Sequence, residues 1–225
     1  MKQILCGCGY LDGTEISEAI STSIHLSQKD MLPTFYAPDV ELCEVVDHLT
    51  KEPDSHSGQR NALVEAARLA RSCIKPICEC EACMHGALII PGGFGAAKTL
   101  SNFAEKGADC SLLPDLEKLI EDFYCEQKPI GSICIAGALI AKVLKGVKIT
   151  LGKESPKEDW PHGDAINKVK DMGAKVELKG VKDVTRCRKY NVFSTPGWMY
   201  KHASYAEIHS GIGKLVNMLA KCVNR

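Results

Sequence analysis

Gly131-Ser132-Ile133-Cys134-Ile135-Ala136-Gly137 is the stretch that decides the fold of this 225-residue chain. Pro129 to Ile133 reads as a short buried strand and Ile135 to Leu144 as the helix after it, with Cys134 at the joint. A chain that turns this sharply from strand to helix has room only for small side chains two before and two after the residue at the apex. Ser132 and Ala136 meet that need. A strand feeding directly into a helix is the repeating unit of parallel sheets with crossover helices, so the architecture reads as α/β.

The same alternation extends in both directions. Gln3 to Cys8 reads as a strand, Asp12-Gly13-Thr14 as a turn and cap, and Glu15 to Gln28 as a helix. Thr34 to Ala37 is a second strand stopped by Pro38-Asp39. Residues 40 to 60 are polar, carry Pro53, Ser55, Ser57 and Gly58, and read as a surface excursion. Asn61 to Arg71 is a helix with Leu63, Ala66, Ala67 and Ala70 on one face. Ala87-Leu88-Ile89-Ile90 is a buried strand that runs into Pro91-Gly92-Gly93-Phe94-Gly95. Helices follow at Pro114 to Cys125, Asp164 to Met172 and Tyr200 to Val223, and strands at Val147 to Leu151, Val176 to Leu178, Val184 to Arg188 and Val192 to Ser194. One domain spanning residues 1–225 accounts for this pattern.

Composition narrows the partners. Hydrophobic residues are 45% and charged residues 25%, the balance of a folded globular chain. Lys plus Arg equals Asp plus Glu at 28 each, which argues against nucleic acid or an anionic membrane surface and for a small-molecule partner. No run of about 18 apolar residues is present to span a bilayer. Twelve cysteines are too sparse for a disulfide scaffold in a chain of this length, so reduced thiols are expected.

Cys134 is the one cysteine at a strand-to-helix elbow. A thiol at a helix start feels the positive end of the helix dipole, which favours a reactive, low-pKa thiolate; the plain alternative is a buried structural thiol. The turn at Pro91-Gly92-Gly93 lets backbone N–H groups come close to a ligand, or serves only packing. Two such features at neighbouring strand ends of one sheet together imply a site with oxyanion-binding character.

Several stretches carry a family resemblance: Gly7-Cys8-Gly9, Asp12 to Ala19, Ala37-Pro38-Asp39, Arg60 to Arg68, Pro91 to Lys98, Pro129-Ile130-Gly131 and Cys134-Ile135-Ala136. The chain resembles the ElbB/ES1 family of the DJ-1/PfpI superfamily nearly end to end. The resemblance implies a three-layer, flavodoxin-like sandwich with a mainly parallel central sheet and a cysteine nucleophile elbow, the class I glutamine amidotransferase-like fold. It implies that a glutamate of the first helix bonds the elbow sulfur, a place that Glu18 matches, with Glu15 one turn earlier as alternate or as a helix N-terminal charge. Gly92, Gly93, Phe94, Ile135 and Lys98 fall on the implied oxyanion and binding region; Lys98 either attracts an anionic substrate or solvates a helix end. No cofactor and no metal are implied, and a homodimer is. Lys157-Glu158-Asp159-Trp160-Pro161 looks like the animal branch, which is often mitochondrial, while the N-terminal residues lack the features of a presequence; the compartment reads as cytoplasmic or mitochondrial.

The departures bear on chemistry. Ile135 stands where many superfamily hydrolases have a histidine, Thr150-Leu151-Gly152-Lys153 offers none, and no His-x-Glu pair follows Cys134. Glutaminase activity, which needs such a base, is therefore not expected. The resemblance points to a cofactor-independent, glyoxalase-like enzyme of small reactive carbonyls such as aldehydes, with weak turnover. The alternative is a redox-sensing or protective protein with an oxidisable Cys134. Cys73, Cys78, Cys80, Cys83 and His85 are dense but lack paired-knuckle spacing, so they read as structural thiols. Thr195-Pro196-Gly197 either lines the site or is only a turn. Trp160 and His162 either close over the pocket or belong to a surface loop.

Overall fold

The computed structural model describes residues 1–56 and 58–223. Nine strands and eight helices alternate through them: β1 Lys2–Ile4, α1 Ile16–Ser27, β2 Thr34–Ala37, α2 Ala62–Ala66, β3 Ile74–Pro76, β4 Leu88–Ile90, α3 Phe94–Lys98, α4 Phe103–Lys106, α5 Pro114–Cys125, β5 Ile130–Ile133, α6 Gly137–Val143, β6 Lys148–Ile149, α7 Ala165–Asp171, β7 Lys175–Val176, β8 Thr185–Cys187, β9 Val192–Thr195 and α8 Tyr205–Val223. Seven strands form one sheet in the order β3-β2-β1-β4-β5-β9-β8. Every pairing in it is parallel except β8 with β9.

The apolar runs explain the middle of the sheet. β4, β5 and β9 are buried at every residue, as strands covered on both faces must be. Alternation along β5 shows the two covers. A side chain at Gly131 would meet Leu215 and Leu219 of α8, whereas Ser132 approaches Gly137 at the start of α6. Strand order reverses between β1 and β4, and the carboxyl ends of β1, β4 and β5 open onto the crevice there, the usual ligand position in a doubly wound sheet.

Three expectations need correction, and one strand went unread. The run from Val147 to Leu151 and the one beginning at Val176 do not extend the main sheet: β6 and β7 pair only with each other. Asn61 caps the next helix through Leu63 N–H and Val64 N–H, but that helix stops at Ala66 rather than Arg71. Lys75, unremarked in the sequence, lies in β3, an edge strand pairing with β2. Residues 40–60 are not merely a surface excursion, since Leu42, Val45 and Val46 are buried and Val46 N–H donates to Asp12 at 2.9 Å. Ser57 of that segment lies outside the described residues. No helix among the described residues is long and apolar enough to cross a membrane.

Candidate active site

Cys134 sits at the end of β5 with φ +57, a left-handed backbone that side chains rarely adopt. Such strain marks an elbow, because a relaxed cysteine would have no reason to stay there. A 3₁₀ turn over Cys134–Ala136 precedes α6, so the helix proper begins three residues later.

Glu18, in the first turn of α1, is fully buried beside the sulfur. Its Oε2 accepts the Gly92 N–H at 2.7 Å, and its Oε1 accepts the Trp198 N–H at 3.0 Å. Burial, with the charge of Glu15 second, pushes the Glu18 carboxyl from an ordinary 4.5 to about 8. At neutral pH this carboxyl therefore holds its proton and faces the Cys134 thiol, to which it is hydrogen bonded. Glu15 caps α1, accepting the Glu18 N–H and the Ser17 hydroxyl at 2.7 Å each. Its position serves the helix N-terminus, and it also lines the cleft.

Two glycines make the approach possible. A Cβ on Gly92 would lie 2.5 Å from Cys134 Cβ and 2.8 Å from Glu18 Oε2, and one on Gly93 would lie 2.2 Å from the Gly13 carbonyl oxygen. With both side chains absent, the backbone N–H groups of Gly93 and Ile135 come near enough to donate toward the Cys134 sulfur. These donors favour the thiolate, but they are outweighed. Burial first, and then the neighbouring Glu18, hold Cys134 well above its ordinary 9. The low-pKa thiolate expected from a helix start is thus corrected: the sulfur is out of water, beside an acid, and short of the helix.

Cys134 opens into a cavity of about 660 Å³ lined by Ile135, Phe94, Phe103, Trp198, Met199 and Tyr205. Lys98 does not line it. The Lys98 ammonium pairs with Glu44 at 2.5 Å and lies 5.0 Å from the centre of the Phe94 ring, so its charge is already used. Trp160 is buried against Gly152 and Tyr200, whereas His162 reaches the cavity and stacks edge-on to Phe94 at 5.6 Å. Gly197 touches Glu18, since a Cβ there would lie 2.3 Å from Oε1. Sequence reasoning missed Trp198, whose N–H holds Glu18 and whose indole donates to Ser17 at 2.8 Å; only its nearness to Thr195-Pro196-Gly197 hinted at it. Among the described residues, no three His, Cys, Asp or Glu side chains are grouped to hold a metal ion.

Comparison with known proteins identifies the lineage. The rat protein named "ES1 protein homolog, mitochondrial" is 41% identical over 223 residues, which cover 99% of this chain and 83% of the rat protein. The chain belongs to the ES1 family. A human ES1 relative, "Glutamine amidotransferase-like class 1 domain-containing protein 3, mitochondrial", is equally similar, at 41% identity over 99% of this chain and 82% of its own length. A search against family models gave no match. Among solved structures, an isoprenoid biosynthesis protein with an amidotransferase-like domain from Ehrlichia chaffeensis superposes with TM-score 0.87 at 29% identity, covering 98% of each chain. Drosophila melanogaster DJ-1beta, at 14% identity and TM-score 0.56 over 99% of this chain and 92% of its own, shares the fold of the DJ-1/PfpI superfamily. The three-layer, class I glutamine amidotransferase-like fold of this ES1-family chain follows from those superpositions and its seven-stranded sheet.

Proposed function

We propose that this ES1-family protein is a cysteine-dependent enzyme of reactive carbonyls, glyoxalase-like, with Cys134 as nucleophile and Glu18 as its proton partner. The observation that carries the reading is the packing at the elbow: Cys134, with φ +57, lies against the Gly92-Gly93 backbone and beside the fully buried Glu18 carboxyl, whose Oε2 accepts the Gly92 N–H.

The chemistry runs from that geometry. The sulfur attacks the carbonyl carbon, an S–C bond forms, and the C=O π pair moves to oxygen, where the Gly93 and Ile135 N–H groups meet the developing charge. The thiol proton passes to Glu18 in its ionised form and from there to the oxygen, giving a hemithioacetal. A carboxyl that titrates near the working pH is suited to taking and returning a proton. With a dicarbonyl such as methylglyoxal, Glu18 then moves a proton between the two adjacent carbons, and water releases the resulting thioester as a hydroxy acid. The net change is addition of one water, with no oxidant or cofactor consumed.

The proposal extends to a single domain over residues 1–225, to assembly as a homodimer, and to the mitochondrial compartment, which the names of the rat and human relatives support. Methylglyoxal consumption by wild type and Cys134→Ser tests the chemistry. Loss of turnover in the variant is expected, and full turnover in it would refute the role of Cys134.

A further inference from the structure

The cavity is far larger than the smallest substrates of such chemistry require, and its walls are sorted by character. Methylglyoxal has five heavy atoms, yet the space over Cys134 is about 660 Å³, within the size range of drug-sized ligand sites. Five aromatic rings, from Tyr10, Phe94, Phe103, Trp198 and Tyr205, line it. Of its lining, Cys134 is buried, while Lys51 and Lys201 are exposed.

The rim charges are not all equivalent. Lys168 also lines the cavity but pairs with Asp164 at 3.0 Å, and the Glu15 carboxylate, which accepts the Glu18 N–H and the Ser17 hydroxyl and keeps its charge, is the one anion set against the remaining lysines. Lys51 and Lys201 have no carboxylate within ion-pair distance among the described residues, and they come from different parts of the chain. Two ammonium groups without an ion-pair partner, several aromatic rings and a nucleophile lining one cavity form a binding profile rather than a solvated surface.

We infer that the site is built for an amphipathic carbonyl compound: an aldehyde or ketone at Cys134, an apolar or aromatic body between the rings, and an anionic end between Lys51 and Lys201. This rests on the proposed carbonyl chemistry for its reacting end and on the cavity alone for the rest. Binding forms one S–C bond, converts C=O to C–OH, and moves the thiol proton to that oxygen, so the step is balanced and reversible. Methylglyoxal fills only the part at Cys134.

The test compares 4-carboxybenzaldehyde with benzaldehyde, following loss of the conjugated carbonyl absorbance on addition to the thiol, with Cys134→Ser as the blank. The carboxylated compound is expected to bind roughly three- to tenfold more tightly, the range for one or two partly solvated charge contacts. The Lys51→Gln/Lys201→Gln double variant is expected to erase that advantage while leaving benzaldehyde unchanged. Equal affinity for the two compounds, or an advantage that survives in the double variant, would overturn the inference. Calorimetric binding of 4-methylbenzoate to Cys134→Ser reports the anionic subsite without any carbonyl. Binding there that is lost on replacing the two lysines supports the subsite even if no aldehyde adds to Cys134, a result that would sink only the carbonyl chemistry. Absence of both would sink the two together.

Discussion

Replacing Glu18 by Gln isolates the energetic signature of the buried acid. The carboxyl is fully buried and titrates at about 8, against 4.5 when the chain is unfolded. The folded state therefore holds a proton over this window that the unfolded state has already released, and stability falls as pH rises from about 4.5 to about 8. At roughly 1.4 kcal/mol per tenfold change in proton activity, the full window amounts to roughly 4–5 kcal/mol as an upper bound. Glu18→Gln removes that dependence but has its own cost. Both Glu18 oxygens accept backbone N–H groups, from Gly92 and Trp198, and the amide NH₂ of Gln can accept from neither, leaving one donor unmatched. That lost bond is worth about 1–3 kcal/mol at every pH. The variant is thus less stable than wild type at pH 5, and the gap closes or inverts by pH 8. Urea unfolding of both proteins at pH 5, 6, 7 and 8 measures this as a difference. Contributions such as that of His85, which burial and nearby positive charge lower to about 4, are common to both and cancel. A wild-type minus variant difference that stays constant across the series would refute the claim that Glu18 folds with its proton.

Three further outcomes follow from the same geometry. Gly92→Ala forces a Cβ to 2.5 Å from Cys134 Cβ, and repacking is expected to cost about 1–3 kcal/mol in urea unfolding and most of the carbonyl turnover; unchanged values would contradict the close approach. Iodoacetamide at pH 6 is expected to label the exposed Cys43, Cys73 and Cys83 ahead of Cys134, read by mass mapping of the labelled peptides; Cys134 leading at pH 6 would contradict its raised thiol. Lys98→Gln breaks a part-exposed ion pair with Glu44, so stability is expected to fall by less than about 1 kcal/mol with kcat/KM unchanged; a large fall in kcat/KM would return Lys98 to the site.

The elbow was legible because its constraint is local. Only small residues fit beside Cys134, and Ser132 and Ala136 display that directly in the sequence. The buried parallel strand β4 was legible for a similar reason, since Ala87 to Ile90 is a continuous apolar run bounded by Gly86 and Pro91. What escaped depended on contacts across long stretches of chain. Glu18 is held by Trp198, 180 residues away, and no local pattern announces that bond. The raised Cys134 thiol likewise follows from burial and from Glu18, neither of which a strand-to-helix motif reveals. Lys98 looked free until the segment around Glu44 folded over α3, and β6 read as a sheet strand because its apolar alternation does not specify which partner it takes.

The central claim is that Cys134 forms a covalent bond to a carbonyl carbon. Carbon-13 NMR of the protein with methylglyoxal labelled at its aldehyde carbon tests it directly. The account predicts a hemithioacetal carbon resonance in wild type, strengthening as pH approaches about 8, and its loss in Cys134→Ser. Identical spectra from the two proteins would contradict it.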